Sequence, residues 1–108
     1  MRTIIAGNWK MHKDREGSQA LIDALVAGLK EVPEGPEVVV APPFPFLEAT
    51  VERAKGSRIR VAAQNCHQAA QGAYTGEVSA AMLKSLGVSY CIVGHSERRQ
   101  YFAESDAV

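Results

Sequence analysis

The stretch Gly94-His95-Ser96-Glu97-Arg98-Arg99 sets an imidazole, a hydroxyl, a carboxylate and two guanidinium groups directly after a short apolar, partly β-branched run, Val88 to Val93. An imidazole can polarise a carbonyl or move a proton near neutral pH, and a carboxylate can take a proton or hold a cation. The change from apolar to polar within two residues reads as a buried strand surfacing into a site. In α/β proteins, ligands bind at the carboxyl ends of parallel strands. A second polar exit, Gly7-Asn8-Trp9-Lys10-Met11, follows the apolar run Thr3 to Ala6. Lys10 has two readings: a solvated surface lysine, or a cation that faces the same rim as His95 and suits an anion. Glu97 also stays open. It can pair with Lys10, with Arg98 or Arg99, or it can position and tune His95; exposed pairs of this kind contribute little stability.

Other chemistries fit the residues less well. Gly94-His95-Ser96-Glu97-Arg98 is not the GxSxG nucleophile elbow, and Ser96 reads as a helix cap after a strand. The spacing of His12, His67, His95 and Cys66 matches no zinc pattern. No GxGxxG follows a strand and no GxxxxGK[ST] occurs, so neither a dinucleotide nor a P-loop site is supported and no cofactor is expected.

The elements that would position these residues alternate. Thr3 to Ala6 reads as a strand. Asp14 can cap a helix whose apolar positions Leu21, Ile22, Leu25, Val26 and Leu29 share one face, ended by Pro33, Gly35 and Pro36. Val38 to Ala41 is uniformly apolar, as suits a strand covered on both faces. Pro45 fits the first turn of a helix running to about Lys55. Ile59 to Ala63 is a third strand, leaving through Gln64-Asn65-Cys66-His67, and a long loop with Gly72 and Gly76 follows. Ser79 can cap a short helix, Ala80 to Leu86, with Gly87 just past its end. A strand over Val88 to Val93 and a short helix over Ser96 to Phe102 complete the pattern, and Ser105-Asp106 reads as the start of a further helix. Alternating β and α units with apolar strands predict a parallel sheet with right-handed crossovers and all strand exits on one rim. That architecture is a doubly wound sheet or part of a (β/α)8 barrel.

With 108 residues the chain suits one small domain, and 46% hydrophobic with 22% charged residues is an ordinary globular composition. Twelve basic residues balance twelve acidic ones, so no field favours nucleic acid or an anionic membrane. No apolar run approaches the roughly 20 residues of a membrane span. The N-terminus lacks the apolar length of a signal peptide, and Cys66 and Cys91, outside any CxxC pattern, suit reduced, buried or partly buried thiols in the cytoplasm.

Four segments together resemble the triosephosphate isomerase family. They are Ala6-Gly7-Asn8-Trp9-Lys10-Met11, Ala63-Gln64-Asn65, Gly72-Ala73-Tyr74-Thr75-Gly76-Glu77-Val78-Ser79 and Val93-Gly94-His95-Ser96-Glu97-Arg98-Arg99, each at or after a predicted strand end. The resemblance runs through all 108 residues and extends to the family's N-terminal half. It implies a single partial domain, residues 1–108, with strands 1–4 and helices 1–3 of a (β/α)8 barrel plus the start of helix 4. The implied activity is aldose–ketose isomerisation of dihydroxyacetone phosphate and D-glyceraldehyde 3-phosphate through an enediolate, in glycolysis and gluconeogenesis.

By the same resemblance, Asn8 contacts substrate and Lys10 supplies positive charge to the phosphate and the developing enediolate. His95 polarises the carbonyl as a neutral imidazole, this family being the standard instance of that device. Glu97 supports the lysine and proton traffic. Thr75 braces the active site of a second subunit, with Tyr74, Gly76 and Glu77 in the same homodimer contact. The family's catalytic base, its lid and its phosphate loops come later in the barrel than anything matched here, so these 108 residues are expected to be inactive alone. The alternative is a non-catalytic folding or assembly module that retains the site residues. A half-barrel would also leave its first and fourth strands as open edges, from which self-association, pairing with the missing half or a partly ordered chain is expected.

Overall fold

In the computed structural model, residues 3–102 and 104 are described. They form four βα units in chain order: β1 (Ile4–Asn8), α1 (Arg15–Leu29), β2 (Glu37–Ala41), α2 (Leu47–Ala54), β3 (Ile59–Ala63), α3 (Ala80–Ser85), β4 (Tyr90–Cys91) and α4 (Ser96–Tyr101). The sheet is parallel throughout in the order β1-β2-β3-β4. Sequential strands are therefore spatial neighbours, each joined to the next by a helical crossover.

Local chemistry starts the helices where expected. Asp14, in extended conformation, accepts from the Gly17 N–H at 2.7 Å and caps α1. Ser79 accepts from the Met82 N–H at 3.3 Å and caps α3. Gly87 lies past α3 at φ +88°, where a Cβ would also meet Val51 Cγ1 at 3.1 Å. Only glycine takes that position without strain. The segment after Pro43 differs from expectation. Phe44–Phe46 forms one 3₁₀ turn and the α-helix begins at Leu47, with Pro45 inside the turn.

Period-two alternation divides the strands between two faces. Val40, Ile59, Val61 and Ala63 meet Ile22, Leu47, Val51, Ala54 and Leu83 from the helices, forming the larger core. Val39, Ala41 and Ala62 point the other way, into an apolar concavity that Ile4, Ala6 and Ile92 also line. Fully burying Leu47 contributes about 1.5–3 kcal/mol, and Ile22 a similar amount.

The outer strands diverge from the reading of a buried β4. Only Tyr90 and Cys91 form a strand, although Ser89 and Ile92 still donate to Val61 and Ala63 carbonyls. Tyr90 is exposed and Val93 is 70% exposed. Ile5 in β1 is 57% exposed. β1 and β4 are the open edges of the sheet, because each has a paired neighbour on one side only. The helix start read at Ser105-Asp106 lies outside the described residues. No helix among the described residues is long and apolar enough to cross a membrane.

Candidate active site

Parallel strands leave all four exits on one rim, and that rim carries the reactive groups. The β1 exit turns back sharply at Lys10, whose φ of +56° lies in the left-handed region. A lysine held there costs on the order of 1 kcal/mol or more, so neighbouring groups must hold it. Two side chains do. Asn8 Oδ1 accepts from the Lys10 N–H at 2.8 Å, and Gln64 Nε2 donates to the Lys10 carbonyl at 2.7 Å. Gln64, just past β3, also donates to the Ala41 carbonyl at the end of β2, at 2.9 Å, with Asn8 Oδ1 a longer 3.4 Å away. No described residue accepts from Asn8 Nδ2, leaving that end of the amide available to a ligand.

The Lys10 ammonium reaches Glu97 on α4, with Nζ 2.7 Å from Oε1. This resolves the open partner of Glu97 in favour of Lys10, while Arg98 pairs with Glu104 at 2.8 Å and lies over the Phe102 ring. Hydrogen bonding to Glu97 and its charge hold the Lys10 ammonium above the usual lysine value. The hydrogen bond from Lys10 holds the Glu97 carboxyl below the usual range against the effect of burial, with a smaller pull from the charge of Lys10. Both side chains are about half exposed, so the pair fixes geometry more than it stabilises the fold.

His95 occupies the N-cap of α4, a place expected for Ser96. Its Nδ1 accepts from the Glu97 N–H at 3.1 Å. A ring nitrogen that accepts a backbone hydrogen bond carries no proton, so the proton of this tautomer is on Nε2. Nε2–H is thereby a donor, the form needed to polarise a carbonyl oxygen. Ser96 is therefore the first residue of α4, with imidazole Nδ1, two bonds from Cβ, bonding the N–H two residues on as an N-cap side chain does.

Asn8, Lys10, His95 and Glu97 thus gather at one rim, with Gln64 beneath them. Sequence reading placed Gln64 in a motif without giving it a role. A long amide immediately after an apolar strand is the available signal, but the carbonyls it bonds belong to two other strand exits, Lys10 and Ala41. Tyr74, Thr75, Gly76 and Glu77 form a separate feature. They make a tight turn closed by Glu77 N–H to the Tyr74 carbonyl at 2.9 Å, with Gly76 at φ +91° in its third position. That φ is the requirement of a type II turn. Tyr74 packs on His67 with ring centroids 4.2 Å apart, and Thr75 is exposed at the tip. The larger open cleft at the opposite rim, by Glu34, Arg58 and Arg60, holds none of these groups.

The two cysteines, distant in sequence, meet behind the sheet. Burial, then hydrogen bonding to Cys66 and its charge, push the Cys91 thiol up to about 12.

Residues 3–108 match the profile of a family described as triosephosphate isomerase. A triosephosphate isomerase of Trichodesmium erythraeum is 52% identical over 105 residues, covering 97% of this chain and 44% of the relative. One from Syntrophotalea carbinolica is 54% identical over 106 residues, covering 98% of this chain and 42% of the relative. The crystal structure of triosephosphate isomerase from Bartonella henselae superposes with a TM-score of 0.91 at 41% identity, covering 100% of this chain and 44% of that one. The chain spans less than half the length of these proteins, and its four parallel βα units correspond to the N-terminal half of their (β/α)8 barrel.

Proposed function

The chain belongs to the triosephosphate isomerase family, and on that premise we propose that it supplies the electrophilic half of an aldose–ketose isomerase acting on dihydroxyacetone phosphate and D-glyceraldehyde 3-phosphate. The carrying observation is the tautomer of His95. With Nδ1 engaged by the Glu97 N–H, Nε2–H is the donor left to face a carbonyl. Proton abstraction beside a carbonyl develops negative charge on oxygen, and a donor aimed at that oxygen lowers the barrier. Lys10 places a positive charge at the same rim, where it attracts the substrate phosphate and offsets charge on the enediolate. Asn8 uses its Oδ1 to shape the Lys10 turn and offers Nδ2 to the substrate.

Glu97 acts as the fixed counter-charge of Lys10, not as the base. A carboxylate held below its usual pKa by an ammonium is a weak proton acceptor. The base comes from a part of the barrel that these 108 residues do not match, so on their own they turn over negligibly. The exposed turn Tyr74-Thr75-Gly76-Glu77 is the surface offered to a second subunit in a homodimer, and the reaction belongs to cytoplasmic glycolysis and gluconeogenesis.

A coupled isomerase assay tests this in two steps. The intact protein interconverts the two triose phosphates, and His95→Gln lowers kcat about 100- to 1000-fold, the usual cost of losing one oxyanion donor. The 108-residue chain alone shows no turnover. Activity in that chain near the level of the intact protein would refute the assignment of Glu97 as a spectator carboxylate.

A further inference from the structure

Lys10 stands in a conformation that lysines rarely adopt, at φ +56°, yet its ammonium must sit within a few tenths of an ångström of one place to meet Glu97 at 2.7 Å. The ion pair cannot impose this, because both side chains are about half exposed and such pairs hold geometry weakly. The backbone of Lys10 is what is gripped. Its N–H goes to Asn8 Oδ1 and its carbonyl to Gln64 Nε2. The same Gln64 nitrogen donates to Ala41 O, which also accepts from Trp9 N at 3.1 Å. The two hydrogens of one amide nitrogen therefore tie the exits of β1, β2 and β3 together. A residue serving only to knit the sheet would bond strand backbone; the shortest bond of Gln64 goes to a residue beyond the strand, in the left-handed region.

We propose that Gln64 is a positioning residue of the isomerase site, fixing the backbone turn of Lys10 and through it the place of the Lys10 ammonium beside Glu97. This rests on the isomerase reading. A shift of Lys10 passes to Glu97 through the ion pair, and Glu97 is the residue whose N–H caps onto His95 Nδ1. One amide thus sets the relative positions of the cation and the electrophile, although it contributes no group to the substrate side. Gln64→Met keeps the length of the side chain and removes both donors, leaving two carbonyls without that partner.

The test uses the intact protein with two readouts. In the wild type the Glu97 carboxyl, followed by NMR, is expected to titrate below its ordinary value of 4.5. Lys10→Met returns it toward that value and defines the full effect. Gln64→Met is expected to give most of the same return, with kcat/KM reduced about 10- to 100-fold, as for a small misplacement of a reacting group. The Lys10→Met/Gln64→Met double variant is expected to be no slower than Lys10→Met alone, because Gln64 acts through Lys10. Unchanged Glu97 titration in a folded Gln64→Met protein overturns the proposal, as does an additive loss in the double variant. Should Gln64→Met not fold, Gln64→Asn keeps the amide, withdraws it by one methylene and is expected to shift Glu97 in the same direction; no shift there overturns the proposal equally. Absence of isomerase turnover in the wild type would end the isomerase reading, while the Glu97 titration still decides whether Gln64 places Lys10.

Discussion

The middle and the margins of the sheet are written in the same residues and have opposite surroundings. Apart from Glu37 and Arg60, β2 and β3 consist of Val, Ile and Ala and lie under α1 and α2, with Val40, Ile59, Val61 and Ala63 all buried. β1 and β4 also carry large apolar side chains, yet Ile4, Ile5 and Tyr90 are exposed, and Val93 just past β4 more so. An apolar run reports that a strand belongs to a sheet. Whether a given face is covered depends on which elements pack there, and edge strands have a neighbour on one side only. The same margins carry the candidate site residues: Lys10 follows β1 and His95 follows β4.

This contrast can be broken by substitution. Leu47→Ala, at a position 1% exposed under the middle strands, is expected to destabilise by about 2–5 kcal/mol in chemical denaturation. Gly87→Ala comes next, at about 1–3 kcal/mol, because it combines φ +88° with a Cβ pressed on Val51. Asp14→Ala removes the cap of α1 and is expected to cost about 1 kcal/mol. At the margin, Ile5→Ala is expected to stay within about 0.5 kcal/mol; a loss as large as that of Leu47→Ala would show that β1 is covered in solution. The exposed edges also predict concentration-dependent association of the 108-residue chain in light scattering, and a monodisperse species at high concentration would point to shielded edges.

The smallest effect belongs to the ion pair. Glu97 has a depressed pKa, so its contribution is present above its ordinary value of 4.5 and is lost as pH falls through the lower folded value. Lys10 has a raised pKa, so its contribution is present below 10.5 and is lost as pH rises through the higher folded value. Between those limits that contribution is small and constant, so Glu97→Gln is expected to lower the melting temperature slightly and by the same amount at every pH. A large loss in that window would mean that the pair is buried. Cys91, pushed up to about 12, is expected to resist alkylation near neutral pH in the folded protein and to react on unfolding, as followed by mass spectrometry.

Much of the architecture was legible because it depends on short-range rules. Asp14 and Ser79 cap helices through contacts three residues away, Gly87 ends one by its own φ, and β3 runs from Ile59 to Ala63 as its apolar run does. The candidate site residues were legible as types at strand exits. Less accessible was the capping by His95 in place of Ser96, since either residue type can accept a hydrogen bond at a helix start and the backbone begins α4 at Ser96. The 3₁₀ turn before α2 was missed for a similar reason: Pro45 fixes φ without specifying the hydrogen-bond spacing of its turn.

By itself the sequence determined the alternation of strand and helix, the caps, and the placement of Asn8, Lys10, His95 and Glu97 at the ends of strands, because residue type and spacing control those locally. Only the tertiary structure decided that Glu97 faces Lys10 and not an arginine, that Gln64 clasps a lysine turn 54 residues away, and that Cys66 meets Cys91. Those pairings depend on the register of parallel strands, a set of backbone hydrogen bonds between segments distant in the chain that no local pattern specifies.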